Sequence, residues 1–164
     1  MKEQTKEKQI ESYIMEHYDK LYRLAYSYMK NREDAMDVVQ ESVYKAIRFS
    51  ERLKELEQIS SWVYQIVVRT ALDTIRKQKR EIIGMEEYQE EGREDQYEDV
   101  DLIKSLSVLS EEERGIIVLR YFEEHKLKEI ATILAEPENT IKSKLYRALK
   151  KLKIELGTKD GEMA

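Results

Sequence analysis

Apolar side chains recur every three or four positions along most of this chain, beginning with a stretch near the N-terminus. Its members are Ile10, Ile14, Tyr18, Leu21, Leu24, Ala25 and Tyr28. This spacing places them on one face of a helix, which we expect to end near Lys30–Arg32. Alternating strand patterns are absent, and the chain has one proline and five glycines. The pattern therefore predicts an all-α protein.

A second helix is predicted from Glu33–Asp34 to about Phe49, with Met36, Val39, Val43, Ala46 and Ile47 facing inward. On another side it carries three carboxylates, Asp34, Asp37 and Glu41. These could be metal ligands, a solvated face or a docking surface for a basic partner. A metal site is the least favoured of the three, because hard cations need more converging oxygens than one exposed helix supplies.

A third helix is predicted after Ser60–Ser61, either of which could cap its first free amides. Its buried side is formed by Trp62, Val63, Ile66, Val67, Ala71 and Ile75, and it ends strongly basic at Arg80. Asp73 lies four residues from both Arg69 and Lys77 and could pair with them. Cations interleaved with aromatic rings fit single-stranded DNA. We favour a core position for Trp62 and leave Tyr64 open.

The segment from Leu127 to Lys153 predicts a helix-turn-helix. Leu127, Ile130, Ala131 and Leu134 line one face of a short helix, and a second helix should begin near Pro137 or Glu138. The second helix has a buried stripe of Ile141, Leu145, Ala148, Leu149 and Leu152. Its other faces carry Lys142, Lys144, Arg147, Lys150, Lys151 and Lys153 without an acidic residue among them. A helix with this charge pattern suits the phosphates of a DNA groove. We favour this interpretation over a solvated face, because a solvated helix normally carries charges of both signs.

The formal net charge of −5 is concentrated in one segment. Residues 81–100 hold nine acidic residues and one basic residue, with two glycines and no clear period. This composition predicts a solvated, flexible connector between two helical lobes. The alternative is that the acidic segment mimics nucleic acid and occupies a basic channel on a partner.

Several classes of function lose support from composition. The chain has no cysteine, which excludes disulfides and thiolate zinc sites. His17 and His125 lie far apart without a ligand cluster, and we expect both at the surface or at helix ends. No nucleophile and base arrangement indicates an enzyme. The charged N-terminus lacks a signal-peptide core and no segment is long and apolar enough to span a bilayer, so a cytosolic location is expected.

Three motifs in order resemble those of RNA polymerase sigma factors of the extracytoplasmic-function (ECF) group. REDAMDVVQESVYKAI at 32–47 resembles the core-binding region, and SWVYQIVVRTALDTIRKQKR at 61–80 the melting and minus-ten region. LSEEERGIIVLRYFEEHKLKEIATIL with ENTIKSKLYRALKKL resembles the minus-thirty-five domain. The resemblance implies two small helical domains, sigma region 2 at 1–80 and sigma region 4 at 101–164, joined by the acidic linker at 81–100.

The resemblance also implies partners and residue roles. Asp34, Asp37, Gln40 and Glu41 would dock on the largest subunit of core RNA polymerase. Arg69, Arg76, Lys77, Lys79 and Arg80 would bind the minus-ten element, and the loop from Phe49 to Ile59 would receive a flipped base of the non-template strand. The minus-thirty-five element would be bound by Asn139, Thr140, Lys142, Ser143, Lys144 and Arg147. No cofactor and no catalytic residue is implied, because the chemistry belongs to the polymerase. An anti-sigma protein, often membrane-anchored in this group, would cover the polymerase-binding surfaces.

The sequence departs from the family pattern at three positions. Arg69 stands where asparagine is usual, and Ala135 and Asn139 stand where glycine is frequent, so promoter sequence does not carry over. Two rival functions remain. A stand-alone helix-turn-helix regulator would bind duplex operators by itself, usually as a symmetric dimer. A nuclease would use Asp34, Asp37 and Glu41 with a metal and would show metal-dependent cleavage.

Overall fold

A computed structural model describes residues 5–82 and 106–160, with side chains up to residue 153. The N-terminal lobe (residues 5–82) contains α1 (Lys6–Glu16), α2 (Tyr18–Met29), α3 (Arg32–Arg48) and α4 (Ile59–Ile82), with short 3₁₀ turns at Ser50–Arg52 and Leu56–Gln58. The C-terminal lobe (residues 106–160) contains α5 (Glu111–Ile117), a π turn (Val118–Phe122), α6 (Leu127–Leu134) and α7 (Glu138–Asp160). These two ranges contain no strand, which confirms the all-α prediction. The predicted acidic linker lies almost entirely outside the described residues.

The first predicted helix is in fact two helices, so the prediction of one continuous helix was wrong. The break is at His17, whose backbone (φ −113°, ψ 17°) leaves the helical conformation. Its amide donates to the carbonyl oxygens of Tyr13 and Ile14, and its ring stacks on Tyr13 with centroids 4.1 Å apart. Periodicity could not show the break because Ile10, Ile14 and Leu21 are all buried on both sides of it.

Helices α3 and α4 pack together in the centre of the N-terminal lobe. Asn31 caps α3 by accepting a hydrogen bond from the amide of Asp34 at 2.8 Å. Helix α4 begins at Ile59, directly after the second 3₁₀ turn. Ser60 and Ser61 therefore lie inside the first turn of α4, and the prediction that one of them precedes and caps the helix was wrong.

The helix-turn-helix is present with the predicted boundaries, as α6 and α7. Ala135 adopts a left-handed conformation (φ 53°, ψ 46°) between them. The amide of Glu136 donates to the Ala131 carbonyl and the amide of Ala135 to the Thr132 carbonyl, which is the Schellman arrangement that ends a helix. At the other end of the lobe, Ser110 and Glu113 form a reciprocal capping box that starts α5.

The two lobes pack against each other and share one continuous hydrophobic core. Helix α2 contacts α5 and the π turn, and helix α4 contacts α6. Arg114 is 1% exposed, and its Nε donates to the backbone oxygen of Ser27 in the other lobe at 2.8 Å. Gly115 lies so close to Tyr28 that a Cβ atom built on it would be 2.6 Å from the Tyr28 Cζ. Close backbone approach therefore requires glycine here.

None of the helices within residues 5–82 and 106–160 is long and apolar enough to cross a bilayer.

Candidate functional site

The acidic face of α3 divides into one anchored carboxylate and an exposed group. Asp34 accepts hydrogen bonds from Asn31 Nδ2 at 2.8 Å and from Gln78 Nε2 of α4 at 2.9 Å. Asp37, Gln40 and Glu41 are exposed, with only a long contact of 3.5 Å between Glu41 and Lys45. Asp37 and Glu41 lie one helical turn apart, so their charges are available to a basic partner.

The basic face of α4 is exposed over its last three turns. Arg69, Arg76, Lys77, Lys79 and Arg80 all reach solvent. Asp73 pairs with Arg76, at 2.6 Å between Oδ1 and Nη2, and not with Arg69 or Lys77 as the spacing suggested. Asp73, Arg76 and Arg80 line a shallow depression on this face. Arg69 therefore has no acidic partner among the ion pairs within the described residues.

The aromatic residues near α4 take different positions. Trp62 is half-buried and packs against the core, in agreement with the core position favoured for it. Tyr64 is 2% exposed, so it is unavailable to an unstacked base in this conformation. The predicted base-receiving loop contains Phe49, whose ring is flanked by the guanidinium groups of Arg48 and Arg52 at 5.6 and 4.3 Å from its centroid.

Helix α7 presents an outward face that contains most of the predicted minus-thirty-five residues. Exposed members are Asn139, Lys142, Ser143, Tyr146, Arg147, Lys150 and Lys153, and Thr140 is half-buried at the edge. Ile141, Leu145 and Ala148 are buried against the rest of the lobe as predicted. Leu149 is 39% exposed, so its assignment to the buried stripe was wrong. It lies at the edge of the buried stripe, about 40° around the helix axis from Leu145. Tyr146, which the sequence prediction missed, is 72% exposed on this face.

A second set of α7 cations lies on the flank that faces α5. Lys144 Nζ is 2.5 Å from Glu112 Oε1 and 2.7 Å from Glu136 Oε1, and its side chain is only 20% exposed. Lys151 Nζ is 2.8 Å from Oε1 of Glu113 in the capping box of α5. Burial by itself lowers the pKa of Lys144, but the two carboxylates raise it above its ordinary value. The positive field of α7 is therefore divided between an outward face and a paired flank.

Between the lobes lies a polar cluster that the sequence prediction missed. The carboxylate of Glu123 is fully buried; it accepts hydrogen bonds from Arg23 Nε at 2.8 Å and from the Tyr64 hydroxyl at 3.3 Å. Burial raises the pKa of Glu123, and the Arg23 guanidinium opposes that rise. Burial, followed by the Glu123 charge, also raises the pKa of Tyr64. No local pattern marks these residues, because Arg23 and Tyr64 lie 100 and 59 positions from Glu123 in the sequence.

His125 belongs to the same cluster; it lies at a helix end, which was one of the two expected positions, but it is buried and not at the surface. It is 6% exposed, with its ring edge-on to Tyr64 at 4.7 Å between centroids. The residue lies between the π turn and α6, at a helix end that the other lobe covers. Within the described ranges, no group of three or more histidine, aspartate or glutamate side chains could hold a metal ion.

Each lobe matches a known protein family region. Residues 13–81 match Sigma-70 region 2, and residues 99–152 match Sigma-70, region 4. This chain belongs to the ECF group of the sigma-70 family. Among its relatives, RNA polymerase sigma factor SigV of Bacillus subtilis is 46% identical over 162 residues, covering 97% of this chain and 98% of the relative. The ECF RNA polymerase sigma factor SigW of the same organism is 28% identical over 156 residues, covering 84% and 83%.

Two solved structures share the fold. RpoE of Bartonella quintana, in complex with the anti-sigma factor NepR, superimposes with a TM-score of 0.77 at 24% identity, covering 89% of this sigma factor and 95% of RpoE. CnrH, in complex with the cytosolic domain of CnrY, gives a TM-score of 0.66 at 19% identity, covering 91% and 88%. At these identities the likeness establishes the fold alone.

Proposed function

We propose that this chain is an alternative sigma factor that binds core RNA polymerase and directs it to specific promoters. Membership of the sigma-70 family supports the proposal most strongly, because both matched regions occur in order over most of the chain. In this proposal Asp37, Gln40 and Glu41 contact the polymerase, since they are the members of the predicted polymerase-binding set that are exposed on α3.

The DNA-binding roles follow the two exposed basic faces. The face of α4 with Arg69, Arg76, Lys77, Lys79 and Arg80 binds the minus-ten element, where cations track the backbone of the opened strand. The outward face of α7 with Asn139, Lys142, Ser143 and Arg147 enters the major groove of the minus-thirty-five element. Thr140 lies at the edge of that face and contributes to its phosphate contacts.

An anti-sigma protein is the second partner that we propose. The support is that RpoE and CnrH, which have the same fold, were solved in complex with NepR and with the cytosolic domain of CnrY. Such a protein would hold the chain away from polymerase until a signal releases it.

Reconstituted transcription tests the proposal. The purified chain is combined with bacterial core RNA polymerase and fragmented DNA of its own genome, and the 5′ ends of the transcripts are mapped. We expect discrete starts that require the chain and that share two upstream elements. The same core enzyme with another sigma factor provides the activity control. Without chain-dependent starts, and with stable binding of the chain alone to duplex DNA, the stand-alone regulator would be the better conclusion.

A further inference from the structure

Lys144 is grouped by the sequence pattern with the DNA-binding cations of α7. A helix advances 100° per residue, so Lys144 and Lys151 share one flank, about 160° or more from Lys142 around the axis. That flank faces the acidic first turn of α5, where Glu112 and Glu113 accept from Lys144 and Lys151 respectively. Both lysines therefore face protein carboxylates, while Lys142 is exposed.

The second partner of Lys144 lies in the turn of the helix-turn-helix. Glu136 follows the left-handed residue Ala135 and immediately precedes Pro137, and its Oε1 accepts from Lys144 at 2.7 Å. The other carboxylate oxygen of Glu136 is buried without a hydrogen-bond partner. The Lys144 ammonium is therefore the group that compensates the Glu136 charge, and removing it would leave a partly buried carboxylate, whose side chain is 27% exposed, uncompensated.

We propose that Lys144 is a positioning residue: it ties α7 to the start of α5 through Glu112 and to the turn through Glu136, and it makes no phosphate contact. These two ion pairs set the rotation and tilt of α7, and hence the direction in which Lys142, Ser143 and Arg147 leave the lobe. The inference deepens the proposed function, on which it rests.

The two possible roles of Lys144 predict opposite effects of neutralising Glu136. If Lys144 positions α7, Glu136→Gln loosens the helix and weakens promoter binding, although it removes a negative charge close to DNA. If Lys144 binds a phosphate, Glu136 competes with DNA for the ammonium, and Glu136→Gln strengthens binding. Glu138→Gln is the matched control for a general charge effect, because Glu138 is exposed at the start of the same helix.

The experiment measures equilibrium binding of holoenzyme to a duplex promoter fragment, taken from the transcript mapping, over a range of salt concentrations. Wild type is measured first. If wild type shows no polymerase-dependent binding, the proposed function fails before any variant is compared. The test variants are Lys144→Met, Lys144→Arg and Glu136→Gln, with Lys142→Ala as the phosphate-contact control.

We expect Lys144→Met to weaken binding about fivefold and Glu136→Gln to weaken it less, because the first removes both ion pairs of Lys144 and the second only the pair with Glu136. Their combination should be no weaker than Lys144→Met alone, since Lys144→Met already removes the pair with Glu136. The log-log salt slope should stay at the wild-type value, whereas Lys142→Ala lowers it by about one unit. Lys144→Arg should restore near wild-type affinity, because arginine can reach both carboxylates. A slope lowered by Lys144→Met, tighter binding by Glu136→Gln or unchanged affinity in both variants would overturn the proposal.

Discussion

At the scale of single residues, exposure separates side chains that the sequence pattern treats alike. Asp34, Asp37 and Glu41 form one acidic row in the sequence, but the contacts of Asp34 are internal to the N-terminal lobe, with Asn31 and Gln78. Asp37 and Glu41 remain on the surface. A partner that binds this row would therefore obtain most of its electrostatic attraction from the last two carboxylates.

Reversing these two charges should separate polymerase binding from folding. We expect Asp37→Arg with Glu41→Arg to weaken capture of core RNA polymerase by about a hundredfold or more, because like charges placed opposite a basic surface cost several kcal/mol. Folding should be unaffected, since both side chains are exposed and only the 3.5 Å contact of Glu41 with Lys45 is lost.

A pull-down on immobilised core enzyme, with circular dichroism as the folding check, measures both effects. Glu11→Arg with Glu16→Arg is the matched control, because it reverses two exposed carboxylates on α1. If core RNA polymerase captures the two double variants equally, the acidic face of α3 is not its binding surface.

At the scale of elements, the apolar spacing along the chain predicted helices that are determined by local interactions, but not features that depend on distant contacts. Helices α3, α6 and α7 could be recognised because each buries one periodic stripe against its own lobe. The break at His17 and the π turn could not, since they leave the apolar spacing unchanged. The roles of Lys144, Arg114 and Glu123 were also beyond local pattern, because their partners are 8 to 100 residues away in sequence.

The turn of the helix-turn-helix contains a strained residue that can be relieved. Ala135 has φ 53°, in the left-handed region where a side chain costs about 1 kcal/mol relative to glycine. Ala135→Gly should therefore stabilise the chain by about 0.5 kcal/mol, after the larger entropy of glycine in the unfolded chain is subtracted. Thermal unfolding measures the effect as a raised midpoint.

Ala131→Gly is the control, because we expect it to change the thermal unfolding midpoint in the opposite direction. Ala131 lies within α6, where glycine costs about 1 kcal/mol, so this variant should lower the midpoint. If both glycine variants lowered the midpoint, the strain at Ala135 would be too small to outweigh the entropy of glycine in the unfolded chain.

At the scale of the whole molecule, the packed lobes conflict with the proposed binding of α4 and α7 to two promoter elements. Elements centred near −10 and −35 are about 25 base pairs apart, or about 85 Å at 3.4 Å per base pair. A compact chain of this length has a radius of gyration of only about 15 Å. The basic faces of α4 and α7 therefore cannot reach both elements of straight duplex DNA while the lobes remain packed. Engagement of both elements requires the interface at Arg114, Gly115 and Glu123 to open.

Gly115 offers the most direct way to open that interface. The substitution Gly115→Ala adds a Cβ atom 2.6 Å from Cζ of Tyr28, so the Tyr28 ring, in a residue that is only 2% exposed, or the backbone of α5 must shift. Alanine favours a helix more than glycine does, so α5 itself should not be weakened. We expect the lobes to separate while helicity is retained.

Distance measurements between two labels report the separation, and the absence of native cysteines allows labels to be attached at introduced cysteines alone. Ser12 in α1 and Lys128 in α6 are exposed positions in opposite lobes. Wild type should give one short distance, and Gly115→Ala should shift the distribution to longer values. Adding Tyr28→Leu, which frees the space that the new Cβ needs, should restore part of the short population. An unchanged distribution in Gly115→Ala would show that the interface absorbs a methyl group without opening, so that a stronger force, such as polymerase binding, must separate the lobes.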